Sequence, residues 1–136
     1  MTVVASAAYR NAPSYSGLVP AVEVVLRPKY GGGEYRETAV VDSGAEQNYV
    51  PYGVPAAYYW KPKGVQALTM NPVGGPKCTV QGFLVMVRLN AAEWTMPFYE
   101  LPKGSALQSV LLGHELLRLV VVELRGPTSY LQVTLP

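Results

Sequence analysis

Asp42 is the only aspartate among the 136 residues, and it stands where an acid could do chemistry. The β-branched, apolar run Ala39, Val40, Val41 predicts a buried strand, and the turn formers Ser43 and Gly44 stop it directly after the acid. A carboxylate held at the end of a rigid element can serve as a general base; left in solvent, the same Asp-Ser-Gly is an ordinary Asx-turn. Chemistry with paired aspartates would need a second chain. The other reactive side chains are single too. His114 is the only histidine, with no Gly-x-Ser-x-Gly elbow to activate and no Cys/His cluster to complete a metal site. Cys78 is the only cysteine, so an internal disulfide and a cysteine-based zinc site are both excluded, and a structural thiol in a reducing compartment is expected. No metal and no cofactor is predicted.

The elements that must hold Asp42 are short strands. With 49% hydrophobic and 15% charged residues, 13 Gly and 12 Pro, the chain suits many strands joined by Gly/Pro turns, hence an all-β fold. At this length a single domain, residues 1–136, can bury roughly two-thirds of its unfolded surface. Strands are predicted over Thr2–Ala8, Val19–Arg27, Glu34–Val41, Gln66–Met70, Lys77–Leu89, Trp94–Leu101, Val110–Leu112, Val120–Arg125 and Tyr130–Leu135. Pro97 inside its strand predicts an edge position. A short helix is expected over His114–Leu119, and Pro51–Pro62 reads as a loop whose aromatics Tyr52, Tyr58, Tyr59 and Trp60 could pack over a cleft edge. Between Met70 and Lys77 the cluster Asn71, Pro72, Val73, Gly74, Gly75, Pro76 is dense in turn formers and predicts a hairpin tip.

Asp42, Ser43, Gly44 and Ala45 after an apolar strand, with Asn48, Tyr49 and Val50 following, resemble the active-site signature of retropepsin-like aspartic proteases. Downstream, Val110, Leu111, Leu112, Gly113, His114, Glu115, Leu116, Leu117 looks like that family's apolar-apolar-Gly strand and short helix. The tetrapeptide Trp60, Lys61, Pro62, Lys63 also resembles the approach to the flap in some lentiviral members. The resemblance implies a closed β-barrel of the retropepsin type with one short C-terminal helix and a flap hairpin at about 66–80, in which Met70, Asn71, Val73, Gly74 and Gly75 form the flap. It implies that Asp42 is catalytic, that Ser43, Gly44 and Ala45 form its loop, and that Leu112, Gly113 and His114 support that loop. His114 departs from the family, whose viral members commonly carry Arg there.

On this resemblance the chain would be a homodimeric aspartic endopeptidase. Asp42 would meet its own copy across a two-fold axis, and the terminal strands Thr2–Ala8 and Tyr130–Leu135 would interleave across it. The alternative is a catalytically inactive retropepsin-fold module for dimerisation or peptide binding. The substrate class is polypeptide. Net charge is +2 and the only tight basic pair is Lys61/Lys63, so no nucleic-acid partner is expected. No apolar run approaches the roughly 20 residues that span a bilayer, and no basic start suits a signal peptide. A cytoplasmic protein is expected, either made as such or released from a larger polyprotein.

Overall fold

A computed structural model describes residues 2–71 and 76–136. Eleven strands are named among them: β1 (Thr2–Ala8), β2 (Ala21–Pro28), β3 (Tyr35–Val41), β4 (Asn48–Val50), β5 (Leu68–Met70), β6 (Cys78–Val80), β7 (Gly82–Leu89), β8 (Ala92–Glu100), β9 (Val110–Leu112), β10 (Val121–Arg125) and β11 (Tyr130–Leu135). Two one-turn helices, α1 (Val54–Ala57) and α2 (His114–Leu117), interrupt them. Six strands close a barrel in the order β2-β3-β9-β4-β8-β7. Outside it lie a three-stranded sheet, β1-β11-β10, and the β5-β6 hairpin. The all-β expectation and the closed barrel hold.

Period-two patterning builds the barrel wall. Along β2, Val22, Val24 and Leu26 are buried while Glu23 and Arg27 are exposed; along β7, Phe83, Val85, Val87 and Leu89 point inward. β3 and β9 break that alternation. Their parallel pairing, Ala39↔Val110 through Val41↔Leu112, is covered on both faces, which is why both read as continuous apolar runs. Ala39, Val110 and Leu112 face the main core with Phe98 and Leu26, whereas Val40 and Leu111 face a second cluster with Tyr49, Tyr99 and Leu101.

Several boundaries differ from expectation for physical reasons. β8 is an interior strand between β7 and β4, not an edge. Pro97 costs no ladder bond to β7, because Leu84, opposite it, turns its carbonyl the other way, to accept from Lys29 N–H at 2.9 Å, and on the β4 side the register begins only at Phe98. Leu84 and Pro97 therefore form a non-hydrogen-bonded pair, and no amide proton is missed on that side. The segment 51–62 is not all loop, since α1 starts there with Gly53 at φ 86° and Pro55 in its first turn, where a missing N–H costs nothing. Trp60 is no cleft aromatic. It is 6% exposed, stacks edge-on to Phe83 at 6.0 Å between centroids, and donates its indole N–H to Gly33 O at 2.8 Å.

The largest difference concerns the terminal strands. β1 pairs antiparallel with β11 within one chain, Thr2↔Leu135 to Ala8↔Tyr130, and β10 pairs with the other side of β11. β11 therefore has both backbone edges satisfied at home, and Leu131 and Val133 sit in the main core. The expectation that Tyr130–Leu135 interleaves across a dimer axis does not fit this pairing. The sheet's outer strands are β1 and β10, each paired along one edge only among the described residues.

Candidate active site

Asp42 follows β3 directly, and the chain around it is tied to the segment leaving β9. Asp42 N–H donates to Leu112 O at 3.0 Å, His114 N–H donates to Ala45 O at 2.9 Å, and Gly113 N–H donates to the Asn48 side-chain oxygen at 2.9 Å. A fourth bond comes from the His114 ring, whose Nε2 lies 2.6 Å from Ser43 O. A carbonyl oxygen only accepts, so Nε2 carries the proton in this contact. The ties join four residues in and just after the acid loop, Asp42, Ser43, Ala45 and Asn48, to three consecutive residues, Leu112 to His114, far along the chain.

Gly113 is required by space. A Cβ built there would meet Gln47 O at 2.2 Å and Ala45 O at 2.5 Å, both backbone atoms that cannot swing aside. Asn48 is fully buried, and its two ends are both used: Oδ1 accepts from Gly113 N–H and Nδ2 donates to Met96 Sδ at 3.0 Å. α2 then seats this junction. It is a single turn that would not persist alone, and burial of Leu116, 1% exposed, stabilises it by about 1.5–3 kcal/mol.

The carboxylate itself is half-buried. Oδ1 accepts from Gly44 N–H at 2.9 Å, an Asx-type contact, and no protein donor reaches Oδ2 among the described residues. Ser43 and Gly44 are exposed, and Ala45 packs at the margin of the second apolar cluster. Tyr15 is a neighbour: burial first, and the negative charge of Asp42 second, hold its hydroxyl pKa above the ordinary tyrosine value. The base of the expected flap lies on this same cluster. β5 and β6 pair Leu68↔Val80 through Met70↔Cys78, and Leu68, Met70, Cys78 and Val80 pack with Tyr49, Leu111 and Ala45. Asn71 is exposed beyond Met70; Val73, Gly74 and Gly75 lie outside the described residues.

The structure thus brings together Asp42, Ser43, Gly44 and Ala45 with Leu112, Gly113 and His114. His114 meets the loop through its ring contact with Ser43 O rather than through an ion pair, and Glu115, beside it, pairs with Arg118 at 2.6 Å. Sequence reasoning did not single out Asn48 as a site residue. A signal existed, because an asparagine between an acid loop and the apolar pair Tyr49-Val50 must either be exposed or find partners for its amide. Also missed was a cleft of about 320 Å³ beside the loop, lined by Val41, Ser43, His114, Leu117, Arg118, Val122 and Leu124. Among the described residues, no group of three His, Cys, Asp or Glu side chains could hold a metal ion, and no helix is long and apolar enough to cross a membrane. No protein-family model matches the chain, and no curated protein matches it.

Proposed function

We propose that the chain is an aspartic endopeptidase of the retropepsin type that works as a homodimer on polypeptide substrates. The observation that carries this reading is the construction around Asp42. The only aspartate of the chain stands half-exposed on a loop that four hydrogen bonds, a fully buried asparagine and an obligatory glycine hold in one place. Rigid support of a solvent-reaching acid is what general-base chemistry requires.

The chemistry needs two carboxyl groups sharing one proton, because like charges so close cannot both ionise. One copy of Asp42, ionised, takes a proton from a water molecule as its oxygen attacks the scissile carbonyl carbon. The other, protonated, donates a hydrogen bond to the carbonyl oxygen and so offsets the charge that develops there. Collapse of the tetrahedral intermediate breaks the C–N bond, with the proton delivered to the leaving amine. With one aspartate per chain, the second carboxyl comes from a second copy. Exposed Gly44 leaves room for a substrate backbone, and the β5-β6 hairpin, packed on the same cluster as Ala45, supplies the ribbon that would cover it.

Asp42→Asn tests this directly. The amide oxygen can still accept from Gly44 N–H, so the loop should persist, but the amide can neither take nor share the proton. Turnover of a peptide library should fall by about 10²–10⁴-fold or to background. Equal turnover by both proteins would remove Asp42 from catalysis.

A second reading, a non-catalytic peptide-binding or dimerisation module, is favoured by one observation: the 2.9 Å bond from Gly44 N–H gives Asp42 a structural task in the turn. Under that reading, calorimetry would show peptides bound equally by wild type and Asp42→Asn, with no turnover by either.

A further inference from the structure

We propose that β10 is the surface through which two copies of this chain associate, by pairing antiparallel with its own copy about a two-fold axis at Leu124. The proposal rests on the reading that Asp42 needs a second copy, and it names the edge that delivers one. β10 is one of the two outer strands of β1-β11-β10, with one backbone edge on β11 and the other unpaired among the described residues, and unlike β1 it lines the cleft beside the acid loop. An open edge of this kind is a template for another strand. Its side chains are those of an interface. Val121 is 45% exposed and Leu124 50%, and neighbouring Leu119 is 42% exposed. Val122 and Leu124, on one face, line the cleft that Val41 and Ser43 line from the other side. Those are the residues immediately before and after Asp42, so an axis at Leu124 runs beside the acid loop.

The second copy is selected over another strand by charge. Glu123 and Arg125 lie on the opposite face of β10, side by side at 2.7 Å. With both barrels kept on one side of a continuous six-stranded sheet, strand β10 can meet its copy only in registers that place odd residues opposite odd ones. Centred on Glu123, the register sets two glutamates against each other, which is destabilising. Centred on Val122, it leaves both charges opposite apolar side chains. Centred on Leu124, it sets each Glu123 against Arg125 of the second copy, twice over, and Leu124 against Leu124 across the apolar cleft. The same segment is thus complementary to itself in one register.

Charge reversal tests both the edge and the register. Glu123→Arg and Arg125→Glu each place like charges across the axis and should raise the dimer dissociation constant, read by sedimentation, about ten-fold or more. The double exchange restores opposite charges and should return association to near the wild-type value, which excludes misfolding as the cause of the single effects. A monomer at all concentrations, single reversals without effect, or a double exchange that fails to recover would each overturn the proposal. Running the series in the Asp42→Asn protein reads association without turnover. A charge-responsive dimer with no peptidase activity in the wild type would keep the interface and discard the enzyme, while an active peptidase whose association ignores these charges would do the reverse.

Discussion

The acid loop and the β10 edge lie on two sides of one cleft, yet they are built in opposite ways. Around the loop buried polar groups are paired within the chain: Asn48 serves Gly113 and Met96, Leu112 O receives Asp42 N–H, and Ala45 O receives His114 N–H. No buried side-chain nitrogen or oxygen is left without a partner among the described residues. Along β10 the burial pattern is exposed at four of five positions, with Val121 and Leu124 among them. One region is finished within the chain and the other is not. The difference teaches that the geometry of the acid loop is fixed within the single chain, whereas β10 presents apolar side chains that the single chain does not cover.

The sharpest way to break this contrast is Gly113→Ala. The new methyl group would start 2.2 Å from Gln47 O and 2.5 Å from Ala45 O, so the loop or the strand must move. Denaturant unfolding should show a loss of about 3 kcal/mol or more, and peptidase activity should vanish with the displaced loop. A stable, active Gly113→Ala protein would mean that the junction is looser than its geometry states.

Asn48→Ala comes next. It leaves Gly113 N–H without a partner in a site that water does not reach, a cost of about 1–3 kcal/mol. Because Asn48 touches the loop only through Gly113, the loss should appear in stability first, with reduced activity in the folded fraction following from a less constrained acid. Thermal and denaturant curves alongside peptidase assays at a temperature where both proteins are folded would separate the two effects.

How much of this was legible before folding follows the same divide. The acid loop was readable because its cues are local: a β-branched run, an immediate stop at Ser43-Gly44, and a glycine in Leu112-Gly113-His114 with no other reason to be small. β1, β9 and β11 match their expected bounds, Thr2–Ala8, Val110–Leu112 and Tyr130–Leu135. What could not be read was which strand each would meet. Alternation specifies the face a side chain takes and says nothing of its neighbour, so β11 was expected across a dimer axis and instead lies between β1 and β10. Trp60 was misplaced for a related reason: a cluster of aromatics among prolines carries no period to say which of them is buried, and the burial of Trp60 depends on Gly33 O and Phe83, which are distant in sequence. α1 was hidden because Gly53 and Pro55, read as breakers, are also the residues that start a helix.

The smallest expected effect sharpens the comparison most cleanly from the other side. Leu124→Ser removes an apolar side chain that is half exposed in the single chain and pairs Leu131 only along the β10-β11 ladder. Little apolar area is lost from the monomer, so at concentrations where the chain is monomeric its unfolding free energy should change by no more than about 0.5 kcal/mol, the usual range for a surface substitution. Set against about 3 kcal/mol for adding one methyl group at Gly113, that near-silence would locate monomer stability on the loop side of the cleft. Denaturant titration of the dilute protein measures it. A loss of 2 kcal/mol or more for Leu124→Ser would show that β10 is held by packing within its own chain, and the contrast between a finished loop and an unfinished edge would fail.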